Sequence, residues 1–267
     1  MHGRGEQSGG TGPGMTMRTQ NYAIDILVQG FPGKTVCHGG LGWSTVALLR
    51  GYDRVVLIDA GGFNMRGVIV EQLKERGLTT ADVTDVILTH AHYDHAINWI
   101  MFPKARVYIG STELDWAAAQ PFGHTLIPEL YIRELKVSPQ LILLREGQEV
   151  APRITAHDSP GHTPGHLMFY LADADRDVLF TGDCAKNRAE LLSRSVDMTM
   201  DAAASRRTVE RVWELWTRRP ETLLVPGHDI PMVLENGAPK YIEGRRAGLA
   251  AWFGDTLETT TLFELKA

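Results

Sequence analysis

The sequence predicts two mixed β-sheets packed face to face, with helices covering their outer faces. Three observations predict it. Apolar runs of strand length recur along most of the chain, a few amphipathic helical stretches interrupt them, and no linker-like segment divides the 267 residues. A sheet that is apolar on both sides needs a covering layer on each. No repeat of ~20–50 residues is visible, which sets a solenoid aside.

Each element follows from its local pattern. Residues 1–17, glycine-rich and polar, read as a flexible N-terminal tail, and 18–267 as one domain. "YAIDILVQGF" (22–31) is a strand, followed by the glycine-rich loop "PGKTVCHGGLGW". "STVALLR" and "RVVLIDA" are strands split by the turn "GYD". "GVIVEQLKERG" (67–77) is a short amphipathic helix with a terminal glycine. "DVTDVILTH" (82–90) and "ARVYIG" are strands, and "STELDWAAA" is a helix opened by a serine cap with Glu113 nearby. Residues 121–138 read as a loop plus the helix "PELYIREL". "QLILL", "RITAHDS", "HLMFYLAD" and "DVLFTGD" are four strands. A long helix covers about 201–218, with Val209, Val212, Trp213 and Trp216 on one face. "TLLVPGHD" is one more strand, and a final helix is expected over roughly 238–253.

Bulk properties narrow the function. The chain is 43% hydrophobic and 22% charged, the balance of an ordinary globular protein. A net charge of −5 offers no basic footprint for nucleic acid. No apolar run reaches the ~18 residues that a membrane span needs. Two cysteines, Cys37 and Cys184, are too few for a disulfide framework and fit a cytoplasmic location.

The chemistry concentrates in "LTHAHYDHAINW" (88–99), which sets His90, His92, Asp94 and His95 within six residues of a chain with ten histidines. Alternate residues of an extended segment share a face, so His90 and His92 can grip one ion together. Asp94 and His95 follow where the chain turns and can face a second. Imidazole and carboxylate are what zinc takes when thiolate is absent. One loop rarely closes two coordination spheres, and three other strand ends offer more ligands: His162 in "SPGHTPGH", Asp183 in "LFTGDC" and His228 in "LLVPGHD".

This combination, preceded by "LIDAGG", resembles the metallo-β-lactamase superfamily over about 55–230. The resemblance implies an αββα four-layer sandwich and two Zn2+ ions per chain, with Mn, Fe or Co as alternatives. It implies one ion held by His90, His92 and His162 and another by Asp94, His95 and His228, with Asp183 bridging them. Asp59 would orient a ligand imidazole from behind. The spacing is most similar to N-acyl homoserine lactonases, which implies a metal-bridging hydroxide that opens a lactone, with an ester or cyclic amide as further substrate classes for this chain and Asp94 and Asp183 as its catalytic carboxylates. Where those enzymes place a tyrosine, three residues after the bridging aspartate, this chain has Lys186. A phosphodiesterase or nuclease on the same metals is the first alternative. A mononuclear iron oxidoreductase similar to persulfide dioxygenases is the second.

The expected partner is a small carbonyl substrate. Tyr93, Lys186, Phe63, Met65, Trp43 and His38 are its candidate contacts, and "FGHTLIPELYI" with His124 is a candidate lid. A homodimer would match the resemblance. His166 reads as a supporting residue, and Cys184 as a small buried apolar one.

Overall fold

A computed structural model describes residues 16–37 and 39–266. Sheet one contains β1 (Thr16–Arg18), β2 (Ala23–Val28), β3 (Val46–Gly51), β4 (Arg54–Ile58), β5 (Asp85–Ile87), β6 (Arg106–Gly110) and β7 (Leu141–Leu144), in sequence order across the sheet. Sheet two contains β8 (Glu149–Ala151), β9 (Ile154–Asp158), β10 (Leu167–Ala172), β11 (Asp177–Gly182), β12 (Leu223–Pro226), β13 (Met232–Glu235) and β14 (Ala238–Tyr241), also ordered as in the sequence. β15 (Gly248–Ala251) and β16 (Thr261–Glu264) form a separate hairpin. The helices are α1 (Arg66–Glu75), α2 (Tyr93–Ala96), α3 (Ser111–Ala118), α4 (Glu129–Val137), α5 (Arg188–Ser193) and α6 (Ala202–Trp216).

Three buried clusters account for four layers. Ile24, Leu49, Val56, Phe169 and Phe180 meet between the sheets. Leu48 and Leu57 face outward to Ile69 and Leu73 of α1, Leu114 of α3 and Leu135 of α4. Met168 and Leu179 face outward to Val212, Leu215 and Trp216 of α6. Strand β3 shows the logic residue by residue. Val46 and Leu48 join the helix-side cluster, whereas Ala47 and Leu49 join the cluster between sheets. Successive side chains leave opposite faces of a strand, and both faces are covered here, so the run is continuously apolar. The fold is therefore the expected αββα sandwich of two mixed sheets.

Direction of pairing positions the site. Strands β4, β5, β6 and β7 run parallel, as do β11 and β12. Parallel neighbours deliver their following loops to the same edge of the sheet. Among the described residues, no helix is long and apolar enough to cross a membrane.

Several expectations need correction. The strand expected over 82–90 pairs only at Asp85–Ile87, because the chain must leave the ladder to turn toward the histidines. The expected serine cap is absent: Gly110 is the N-cap of α3, and Ser111 is already helical. Helix α5 and strand β8 had no clear signature. The tail expected over 1–17 ends earlier, since Thr16 and Met17 pair with Asp25 and Ile24. The remainder of that tail lies outside the described residues.

The helix expected over 238–253 is replaced by β14 and, after a loop, β15. The turn ahead of β14 decides it: Asn236 and Gly237 take positive φ values of 53° and 77°, joining paired Glu235 and Ala238. Two left-handed residues between paired strands make the tightest hairpin turn, and Asn-Gly is its preferred sequence. Gly237→Ala should lower unfolding stability by about 1–2 kcal/mol, read as a shift in denaturation midpoint, because alanine resists the left-handed region.

Candidate metal centre

Five loops converge on one edge of the sandwich. β4 ends at Ile58, and Asp59 follows. Its parallel neighbour β5 ends at Ile87, ahead of His90. In sheet two, β11 and β12 run together until Gly182 stands opposite Pro226, so Asp183 and His228 emerge side by side. His162 lies on the connection from β9 to β10. Gly227 is required by this closeness: a Cβ there would lie 2.4 Å from Asp183 Oδ1.

The seven predicted ligands come together. His90, His92 and His162 form one group, and Asp94, His95 and His228 another, with ligand atoms within 4.8 Å of one another inside each. Asp183 groups with His90 and His95 on the same criterion. His92 Nδ1 lies 3.0 Å from His90 Nε2 and 2.9 Å from His162 Nε2. His95 Nε2 and His228 Nε2 are 3.3 Å apart. Asp94 Oδ2 lies 3.4 Å from His228 Nε2. Asp183 turns its two oxygens in different directions. Oδ2 is 3.3 Å from His162 Nε2, while Oδ1 is 3.1 Å from His95 Nε2 and 3.2 Å from His228 Nε2.

These contacts suit cations. Ligand nitrogens on one tetrahedral zinc, with bonds of ~2.0–2.1 Å, stand roughly 3.3 Å apart, close to the spacings here. Asp183 Oδ1 is buried and accepts no hydrogen bond, an arrangement that is costly unless a cation satisfies it. Burial holds His90 and His162 well below the usual imidazole range and lowers His92 to about 4. All three are then neutral, the form that can ligate. At His95 burial pulls the same way, but Asp183, Asp59 and Asp94 outweigh it and raise its affinity for a proton. Burial would raise Asp183, yet His228, His95 and His162 hold it well below the usual carboxylate range. The site is thus a mixed pocket of imidazole and carboxylate, the donor set of a divalent ion.

Supporting side chains fix the ligands. Asp59 accepts from Thr89 N–H at 2.8 Å and meets His95 Nδ1 at 2.7 Å. It does so with a left-handed φ of 60°, a conformation that costs an ordinary residue about 1–2 kcal/mol. His166 is buried, accepts from Asp183 N–H at 3.0 Å and meets Ser159 Oγ at 2.7 Å, so it supports the aspartate rather than joining the ligands. Two supports had no sequence signature. Asn98 donates to the carbonyls of Ala60, Gly61 and Gly62, tying the loop after Asp59 to the histidine motif. Asp229 meets Arg245 at 2.6 Å and Tyr241 Oη at 2.9 Å, anchoring the turn that carries His228.

The candidate substrate contacts divide. Tyr93 and Phe63 are exposed. Tyr93 adjoins Asp94 and donates its N–H to Leu126 O, which links the 121–128 stretch to the motif. Phe63 stands edge-on to Tyr131, with Arg66 over its ring. Trp43 and Met65 pack against the core, and the Trp43 indole donates to Gln29 O. Lys186 is engaged with Glu190 at 3.1 Å and Asp197 O at 2.7 Å. His124 is exposed. His38 lies outside the described residues. Cys184 is buried and donates to Thr181 O, as a packing residue should.

The family description "Metallo-beta-lactamase superfamily" matches residues 39–228. The chain belongs to this superfamily. Among superfamily relatives, "Probable metallo-hydrolase YflN" of Bacillus subtilis is 29% identical over 214 residues, 68% of this chain and 77% of that one. An N-acyl homoserine lactonase of Bacillus thuringiensis is 26% identical over 164 residues, 61% of this chain and 62% of that one. The solved structure of hydrolase AbOPH superposes with a TM-score of 0.70 at 16% identity, covering 88% of this chain and 99% of that one, which speaks to the fold. Family membership, the metallo-hydrolase relatives and the His/Asp cluster support a metal-dependent hydrolase with divalent metal cofactors.

Proposed function

We propose that the protein is a binuclear metallohydrolase that opens a lactone, ester or cyclic amide of a small molecule. His90, His92 and His162 would hold one zinc ion, and Asp94, His95 and His228 the other. Asp183 would serve both. The observation that carries this reading is the divergence of the two Asp183 oxygens, one toward each group.

Divalent ions bound there supply Lewis acidity and make hydroxide available near neutral pH, by lowering the pKa of water to ~7. The chain's own groups do the rest. Asp94 is the least enclosed carboxylate of the cluster, with 15% of its side chain exposed against 6% for Asp183. It can therefore meet both water and substrate, and it moves a proton to the leaving oxygen or nitrogen. Asp59 keeps the His95 ring turned inward. Tyr93 and Phe63 offer aromatic surface beside the mouth for the substrate's apolar part. Lys186 spends its charge on Glu190, so the position where lactonases have tyrosine acts here through the loop that carries it. The lactonase relative favours a lactone among the carbonyl substrates.

The test is metal quantification followed by a hydrolysis screen across lactones, esters, cyclic amides and phosphodiesters. Two zinc ions per chain with turnover of a carbonyl substrate supports the proposal. One iron per chain, or turnover of phosphodiesters alone, overturns it. Asp59→Asn should weaken zinc binding about 10–100-fold, measured by chelator competition, because it loses the charge behind His95. Unchanged affinity would leave Asp59 a purely conformational residue.

A further inference from the structure

Glu113 is completely buried on the first turn of α3, and it is no part of the ligand set. Two of its partners are backbone groups, beside the Thr163 hydroxyl. One carboxylate oxygen accepts from Ala91 N–H at 2.9 Å, and the other accepts from Gly165 N–H at 3.1 Å. Ala91 sits between His90 and His92, on the loop that leaves sheet one. Gly165 lies three residues after His162, on the loop that enters β10 of sheet two. One side chain thus ties together the two loops that carry His90, His92 and His162.

The surrounding backbone leaves no slack. A Cβ on Gly165 would fall 2.1 Å from Glu113 N, and one on Gly110 would fall 2.8 Å from Gly165 O. The start of α3 and the His162 loop therefore meet backbone to backbone.

A buried carboxylate is an expensive way to fill space, and an apolar side chain of similar volume often serves stability as well or better. Here burial pushes the carboxyl up to about 7 even though the Ala91 N–H, the Thr163 hydroxyl and the Gly165 N–H pull it down. What the carboxylate contributes is two acceptors, aimed at N–H groups on loops from different sheets. We propose that Glu113 is a positioning residue that sets the separation of the His90–His92 loop from the His162 loop, and so preorganises the first ion group. This rests on the assignment of that group to a metal ion.

The experiment compares zinc affinity, by chelator competition, and thermal unfolding of the metal-free chain. Glu113→Gln keeps the volume but presents an amide N–H₂ to one of the two N–H groups. Asp25→Asn is the control. It alters a fully buried carboxylate that meets Arg50 and Arg76, away from the histidines. Glu113→Gln should weaken binding of one of two zinc ions about 10–100-fold, whereas Asp25→Asn should destabilise the metal-free chain and leave both affinities within about twofold. Glu113→Asp, which retains the charge but cannot span both N–H groups, should fall between Gln and wild type. It carries the test if the Gln variant does not fold. Two ions bound by wild type and, with equal affinity, by the Glu113 variants would overturn the positioning role alone. A wild-type chain that binds no divalent ion would overturn the metal assignment and the positioning role together.

Discussion

Asp183→Asn should reduce kcat/KM for the hydrolysed substrate by about a thousandfold or more, equivalent to ~4 kcal/mol of transition-state stabilisation. The argument is geometric. Asp183 places one oxygen near each proposed ligand group, and one of them is buried without a hydrogen bond. Asparagine preserves the shape but removes the charge and turns an N–H₂ toward one group. Two effects follow. At least one ion should bind more weakly, and His95 and His228, both raised by their aspartate neighbours, should lose part of their anionic support. The variant is near-isosteric, so its unfolding curve should stay close to wild type when both are metal-free. Turnover within tenfold of wild type, with two ions still bound, would show that the bridging role is mistaken.

Removing the metals should be equally decisive. Excess chelator is expected to abolish turnover, and zinc added back should restore it. Zinc at about a hundredfold over its Kd should stabilise the folded chain by roughly 2.7 kcal/mol, which for a chain of this size is a rise in Tm of about 5–10 °C. The physical source is the crowding already described. Imidazole nitrogens stand about 3 Å apart, around a buried carboxylate oxygen that accepts no hydrogen bond. A cation relieves both problems at once. Identical unfolding with and without zinc, manganese, cobalt or iron would mean the cluster is satisfied without an ion.

The clustering of the seven residues was legible because each announces itself locally. An apolar strand ends, a small residue or Pro-Gly follows, and a single imidazole or carboxylate comes next. Parallel pairing of β4 with β5 and of β11 with β12 then brings those ends to one edge. The layers were legible for a similar reason, since continuous apolar runs such as β3 demand cover on both faces. Glu113 and Asn98 were not legible. The main-chain groups they hold lie 22 and 52 residues from Glu113 and 36–38 residues from Asn98, and no spacing encodes such a meeting. The C-terminal segment misled for another reason. Its alanines and leucines favour helix, but the Asn236-Gly237 turn commits the chain to strand pairing first. Tyr93 and Phe63 stay exposed, whereas Trp43 turned inward because its indole found Gln29. Residue type alone could not separate those outcomes.

The order in which the proposed ligands occur along the chain bears on how the protein is made. His90, His92 and His162 have all emerged once synthesis passes residue 162, and the clamp from Glu113 is already upstream. Asp94 and His95 must wait for His228, on the loop after β12, more than a hundred residues later. Domains generally fold as units. The loops that carry His162, Asp183 and His228 all belong to sheet two, so neither proposed ion group can close until both sheets have paired and packed. Metal loading is therefore expected to follow folding of the whole sandwich rather than to accompany synthesis.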